Sequence, residues 1–225
     1  MDILPLLITE VTEIHRGTYC VAAWDAAGRR MVRPLPDGIN WTRAQIDGRR
    51  IVPGARIAVT PNRIRPRGGY PHRTEDLPVD PSPIQRLADV PADWFAAAAP
   101  PLAATLAAAF GGQIRFVHVS LGHRRGAHVI SGTPVNSLHG VRIPSRMLCF
   151  VEEDDRPRAL LRDAEARYDL PVTSRALREV WRANGVAAVR RTLPVDTPLH
   201  VRVGLARGWG DRADKCYVML NGVLW

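Results

Sequence analysis

Over most of this chain apolar residues alternate with polar ones, and turn residues interrupt the alternation about every ten positions. Residues 4–14 are rich in Leu, Ile, Val and Thr and read as a strand. A turn at Arg16-Gly17 leads to a second strand over 18–24, and Asp25 to Gly28 turns the chain into a third over 30–33. Residues 34–50 read as loop with one helical turn around a lone Trp41, and 51–60 as a fourth strand interrupted by Pro53-Gly54. From Pro81 the pattern changes. Asp93 reads as the cap of a short helix over 94–99 stopped by Pro100-Pro101, and a second Ala-rich helix over 102–110 ends at Gly111-Gly112.

Alternation then returns over 114–120, 127–131 and 146–151. Residues 158–168 suit helix by their Ala and Leu, and strand by their position after a turn at Arg156-Pro157. Leu177, Val180 and Trp181 share one face of a predicted amphipathic helix over 174–184, which Gly185 ends. Two strands, 199–205 and 216–224, close the chain. The pattern predicts a mainly β fold with minor α, built as two small β-barrels of the oligonucleotide/oligosaccharide-binding (OB) kind joined by a helical segment. The expected division is a first barrel over 1–95, an Ala-rich helical connection with strands over 96–136, and a second barrel with one helix over 137–225.

A length of 225 residues supports either one large core or two small ones. The net charge of +9 asks for an acidic partner, nucleic acid first. Lys215 is the only lysine, so part of this basicity reflects an Arg- and Ala-rich codon background. The distribution is more telling: residues 94–151 contain no Asp or Glu, and Glu152 to Asp155 then form an acidic hairpin tip. Cys20, Cys149 and Cys216 are far apart within apolar strands and read as reduced thiols, with no metal-ligand spacing. The first residues show no signal-peptide pattern and no apolar run spans a bilayer, so the expected place is the cytoplasm.

Several local signatures resemble a known family. They are Cys20-Val-Ala-Ala-Trp24 followed by Arg30-Met-Val-Arg33-Pro34, Pro71-His72-Arg73-Thr74-Glu75-Asp76, Leu170-Pro171-Val172-Thr173 and Val203-Gly204-Leu205. The chain resembles the bacterial dual OB-containing domain family, in which an R-W-(I/V)-R-P-like segment precedes a P-P-H-(T)-E-D-like element. It departs from that pattern at Met31, in place of an aromatic, and at Tyr70, in place of a proline. The resemblance implies two OB barrels and a nucleic-acid or nucleotide ligand, and no catalytic residues or cofactor.

Three constellations carry candidate chemistry. Arg63, Arg65 and Arg67 alternate toward one face if extended, a phosphate track beside Tyr70 as a stacking ring. His72 with Glu75 and Asp76 is either an imidazole oriented by a carboxylate or a closed turn, and Arg73 lies between them as a ligand contact or turn former. Arg207-Gly208-Trp209-Gly210 holds a tryptophan between glycines, beside arginine. Arg33 joins the set that grips phosphate, and Trp41 the set that stacks. No Gly-x-Ser-x-Gly or P-loop pattern is present. The expectation is a non-catalytic binder of nucleic acid, single strands favoured because no basic helix suited to a major groove is visible. A nucleotide or nucleoside sensor or enzyme acting through His72, Glu75 and Asp76 is the alternative. A module that docks an acidic protein partner is the third reading.

Overall fold

The computed structural model describes residues 3–15, 17–62, 69–89, 100–120, 123–208 and 210–225. The chain folds as two compact units, Met1–Pro100 and Pro101–Trp225. Strands hold 48% of the chain against 17% helical residues, and the sheets curl as half-barrels of the OB-like kind with minor α.

The first unit is one curled sheet. Its strands are β1 (Leu4–His15), β2 (Thr18–Asp25), β3 (Arg30–Pro36), β4 (Trp41–Thr42), β5 (Ala55–Val59), β6 (Asp76–Val79) and β7 (Gln85–Asp89). They run in the order β6-β3-β2-β1-β5-β7, with β4 paired to β2. Leu6, Ile8, Val11, Val21, Ala23 and Val32 supply its apolar face. A bulge between Ile8 and Glu10 inserts one residue into β1, so that Val11 rather than Glu10 keeps to that face. The extra residue, Thr9, is buried and donates its hydroxyl to the Ala22 carbonyl at 3.2 Å. Within the stretch expected to be loop, Thr42 caps helix α1 (Arg43–Gly48) through a capping box with Gln45. The sequence reading missed β6 and β7. Pro78 interrupts the first, and its parallel pairing with β3 depends on residues more than forty positions away.

The second unit carries two sheets. One joins β10 (His128–Ile130), β16 (Lys215–Leu224), β15 (Pro198–Leu205) and β11 (Leu138–Pro144), in that order. The other joins β12 (Leu148–Glu153), β13 (Arg156–Arg162), β14 (Arg167–Pro171), β9 (His123–Arg125) and β8 (His118–Ser120). A single core built on Phe110, Val141, Phe150, Leu170, Val201 and Val218 lies within this unit.

Residues 158–168 resolve as strand, not helix. Asp154 and Asp155 both take positive φ (50° and 53°), which makes a two-residue turn of the primed type and sets Glu153 opposite Arg156. The second Ala-rich helix shortens to α2 (Leu106–Ala109), started by Thr105, whose hydroxyl accepts from the Ala108 N–H. The first, expected over 94–99, lies outside the described residues. The amphipathic helix forms as α3 (Arg175–Arg191), capped by the Ser174 hydroxyl. Gly185 breaks it at φ 72° and ψ 178°, and a further helical turn follows the break. No helix among the described residues is long and apolar enough to cross a membrane.

Candidate nucleic-acid interface

The first unit turns a polar face as well as an apolar one into its interior. Glu10 pairs with Ala22 and Thr12 with Cys20 across β1 and β2, on the face opposite Val11 and Val21. Arg33 follows the core residue Val32 and therefore takes that same polar face. Glu10, Thr12 and Arg33 are each at most 5% exposed, and Cys20 is partly buried.

Burying a guanidinium is costly unless it is paired and hydrogen-bonded. Arg33 Nη1 donates to Asp76 Oδ1 at 2.6 Å, and Glu75 Oε2 lies 3.9 Å from Nη2. The Arg33 backbone N–H donates to the Glu75 carbonyl at 2.6 Å. Burial works against the Arg33 charge, but Cys20, Asp76 and Glu75 outweigh it and hold the proton above the group's ordinary affinity. Burial also pushes the Cys20 thiol up; Arg33 pulls it down, and Glu10 and Asp76 add to the rise. Cys20 thus sits as a protonated thiol, not a nucleophile.

This ion pair anchors the turn that precedes β6. The N–H groups of His72 and Arg73 both donate to the Gly69 carbonyl at 3.1 Å, and those of Glu75 and Asp76 donate to the His72 carbonyl at 3.1 and 3.2 Å. The peptide between Tyr70 and Pro71 is cis. His72, Glu75 and Asp76 point inward and are buried, while Tyr70, Arg73 and Thr74 remain on the surface. Tyr70 is 37% exposed. The turn therefore sorts its side chains: acids and imidazole inside, ring and cation outside.

Two sequence-derived candidates change role in the structure. Trp41 is fully buried and its indole N–H donates to the Pro34 carbonyl at 2.7 Å, so its ring is part of the core and has no open face for a base. Arg33 spends its guanidinium on Asp76 inside the fold and is an anchor, not a phosphate contact. Arg207 lies exposed in the loop after β15. Arg63, Arg65, Arg67 and Trp209 lie outside the described residues. Sequence reasoning missed Glu10 and Cys20. The available signal was a carboxylate in the middle of an otherwise apolar strand, which a folded protein buries only with partners.

Part of the basic charge is consumed within the second unit. Arg125 bridges Glu153 at 2.5 Å and Asp169 at 2.8 Å, and Arg158 reaches the same two carboxylates at 3.3 and 2.5 Å. Glu152 accepts the Trp181 indole N–H at 2.7 Å, so the acidic run is committed on its strand side, and Asp154 and Asp155 form the turn. Among the described residues no group of three or more His, Cys, Asp and Glu side chains is arranged to hold a metal ion.

No family model matches the chain, and no curated protein matches it. The resemblance to the dual OB-containing family thus rests on its short motifs. Among solved structures, a murine DNA-binding protein bound with double-stranded DNA aligns at 10% identity and a TM-score of 0.34, over 100% of this chain and 99% of that one. The tetrameric p202 HIN2 aligns at 8% identity and a TM-score of 0.35, over 100% of this chain and 95% of that one.

Proposed function

We propose that the protein is a non-catalytic nucleic-acid-binding protein of the dual OB-containing kind that prefers single strands. The observation that carries this reading is the sorted turn over residues 69–76. A buried ion pair fixes it, and what it offers to solvent is one aromatic ring and one guanidinium. A rigid aromatic beside a cation suits an unpaired base and its phosphate, because the ring can stack while the cation replaces a counterion. The sequence places Arg63, Arg65 and Arg67 immediately before this turn, and Arg207 and Trp209 form a second candidate contact. Catalysis through His72 is disfavoured by the same geometry, since Glu75 and Asp76 are directed to Arg33.

The test is fluorescence anisotropy with fluorescein-labelled single-stranded and duplex oligonucleotides at two salt concentrations. Wild type should bind the single strand in the micromolar range or tighter. Tyr70→Ala should weaken it by about 1–3 kcal/mol, the range for one stacked base. Arg73→Ala should reduce the slope of log K against log salt by about 0.7, the value for one single-strand phosphate contact. Absence of binding at low salt, or equal binding by both variants and wild type, rejects the reading. A mononucleotide that raises the melting temperature while oligonucleotides do nothing would move the function to the nucleotide-sensor alternative.

A further inference from the structure

We infer that the β8 edge of the second unit is a docking site for an extended acidic segment of a partner protein, added as a further strand. The five-stranded sheet has two ends, and they are treated differently. At the β12 end, α3 closes the sheet: Arg190 donates to the Phe150 carbonyl at 2.6 Å, and Trp181 to Glu152. At the β8 end the strand order stops, and no strand among the described residues pairs with β8 on its outer side.

That end is built as a pairing surface rather than a protected edge. Arg115 and His128 exchange both backbone hydrogen bonds, at 2.8 and 2.9 Å, and His118 pairs with Arg125. The Val117 N–H turns inward to the Arg125 carbonyl at 3.1 Å, so the alternate N–H groups of Phe116 and His118 face the open edge. Val117 and Val119 are 48% and 68% exposed on one face of this stretch, while the Phe116 ring packs against Tyr168 on the other. Natural edges are usually guarded by lysine, proline or an inward-pointing charge. Residues 116–120 contain none of these. A β-branched surface beside an open row of backbone donors is the arrangement used in strand addition, where main-chain bonds supply affinity and alternate side chains supply choice.

Charge selects the occupant. No Asp or Glu occurs anywhere in 94–151, and Arg115 and His118 are exposed at this edge. A second copy of this chain would bring the same cations against them and a further charge of +9. A strand carrying Glu or Asp between β-branched residues meets both the valines and the cations.

The experiment uses the full chain and a fluorescein-labelled ten-residue peptide alternating valine with glutamate. Two control peptides accompany it, one with lysine for glutamate and one N-methylated at every second residue. Variants are His118→Pro, which removes an outward N–H, and Val119→Glu, which leaves the backbone intact and adds a repelling charge. Near-UV circular dichroism confirms that each variant is folded. The expected result is binding of the glutamate peptide alone, with affinity reduced at least tenfold in both variants. Equal binding of the N-methylated peptide, or unchanged affinity in Val119→Glu, overturns strand addition. Concentration-dependent dimerisation in sedimentation that Val119→Glu abolishes assigns the edge to self-association and overturns it too. A single-stranded oligonucleotide that loses affinity in both variants would instead place the edge in the nucleic-acid surface.

Discussion

Arg33 shows how much a single buried charge organises. Its partners come from a turn more than forty residues away, and losing one of them leaves a charge stranded in a low-dielectric interior. Arg33→Met or Asp76→Asn should each cost about 3–5 kcal/mol in urea unfolding. The paired replacement Arg33→Met with Asp76→Leu should cost clearly less than the sum, because neither charge is then left alone. His139 gives a second residue-scale expectation. It lies edge-on to Phe110 with centroids 4.7 Å apart, and its Nε2 is 3.1 Å from the Asn136 carbonyl. Burial pushes its pKa down from 6.5 to about 4; the Asn136 contact opposes this, and the Arg202 guanidinium reinforces it. A folded pKa below the unfolded one means that the unfolded chain takes up the proton first. Stability from this group is therefore complete above pH 6.5 and falls as pH drops toward 4, by about 2 kcal/mol after allowance for partial exposure. Unfolding midpoints from pH 8 to 4 should show that loss, and His139→Gln should flatten it.

At the scale of elements, α3 separates two readings of one glycine. In a continuous helix, Gly185→Ala would stabilise by roughly 1 kcal/mol. At φ 72° and ψ 178° a side chain is strained, so the same change should destabilise by about 1–3 kcal/mol. The sign of that shift in chemical unfolding decides between them. The glycine's role as a stop was legible from the sequence, as were β1, β2, β15 and β16, because alternation and turn residues are local signals. The β6 strand was not, since Asp76-Leu77-Pro78-Val79 has too little pattern of its own and exists by pairing with β3. The 158–168 segment was ambiguous for the same reason: its propensity suits helix, and the turn at Asp154 and Asp155 overrides it.

For the whole molecule, each unit owns its core. One apolar cluster draws on residues between Leu4 and Ile84, and the other on residues between Ala103 and Val223. A fragment of residues 101–225 should therefore unfold cooperatively on its own, with tyrosine and tryptophan fluorescence and far-UV circular dichroism giving coincident transitions. Non-coincident curves or a featureless melt would mean that this unit depends on the first. The net charge of +9 belongs to this scale as well. The Arg125–Glu153–Arg158–Asp169 network shows that a formal charge count overstates what the surface offers a polyanion.

By itself the sequence determined the mainly β class, most strand positions, the principal helix and the neighbourhood of the candidate site, since period, turn chemistry and charge are written in neighbouring residues. Only the tertiary structure decided which way each polar side chain faces. Trp41 and Arg33 look like surface ligands in one dimension, and they are core and anchor in three. Burial and ion pairing are set by strands brought together from distant parts of the chain, and no local pattern records that.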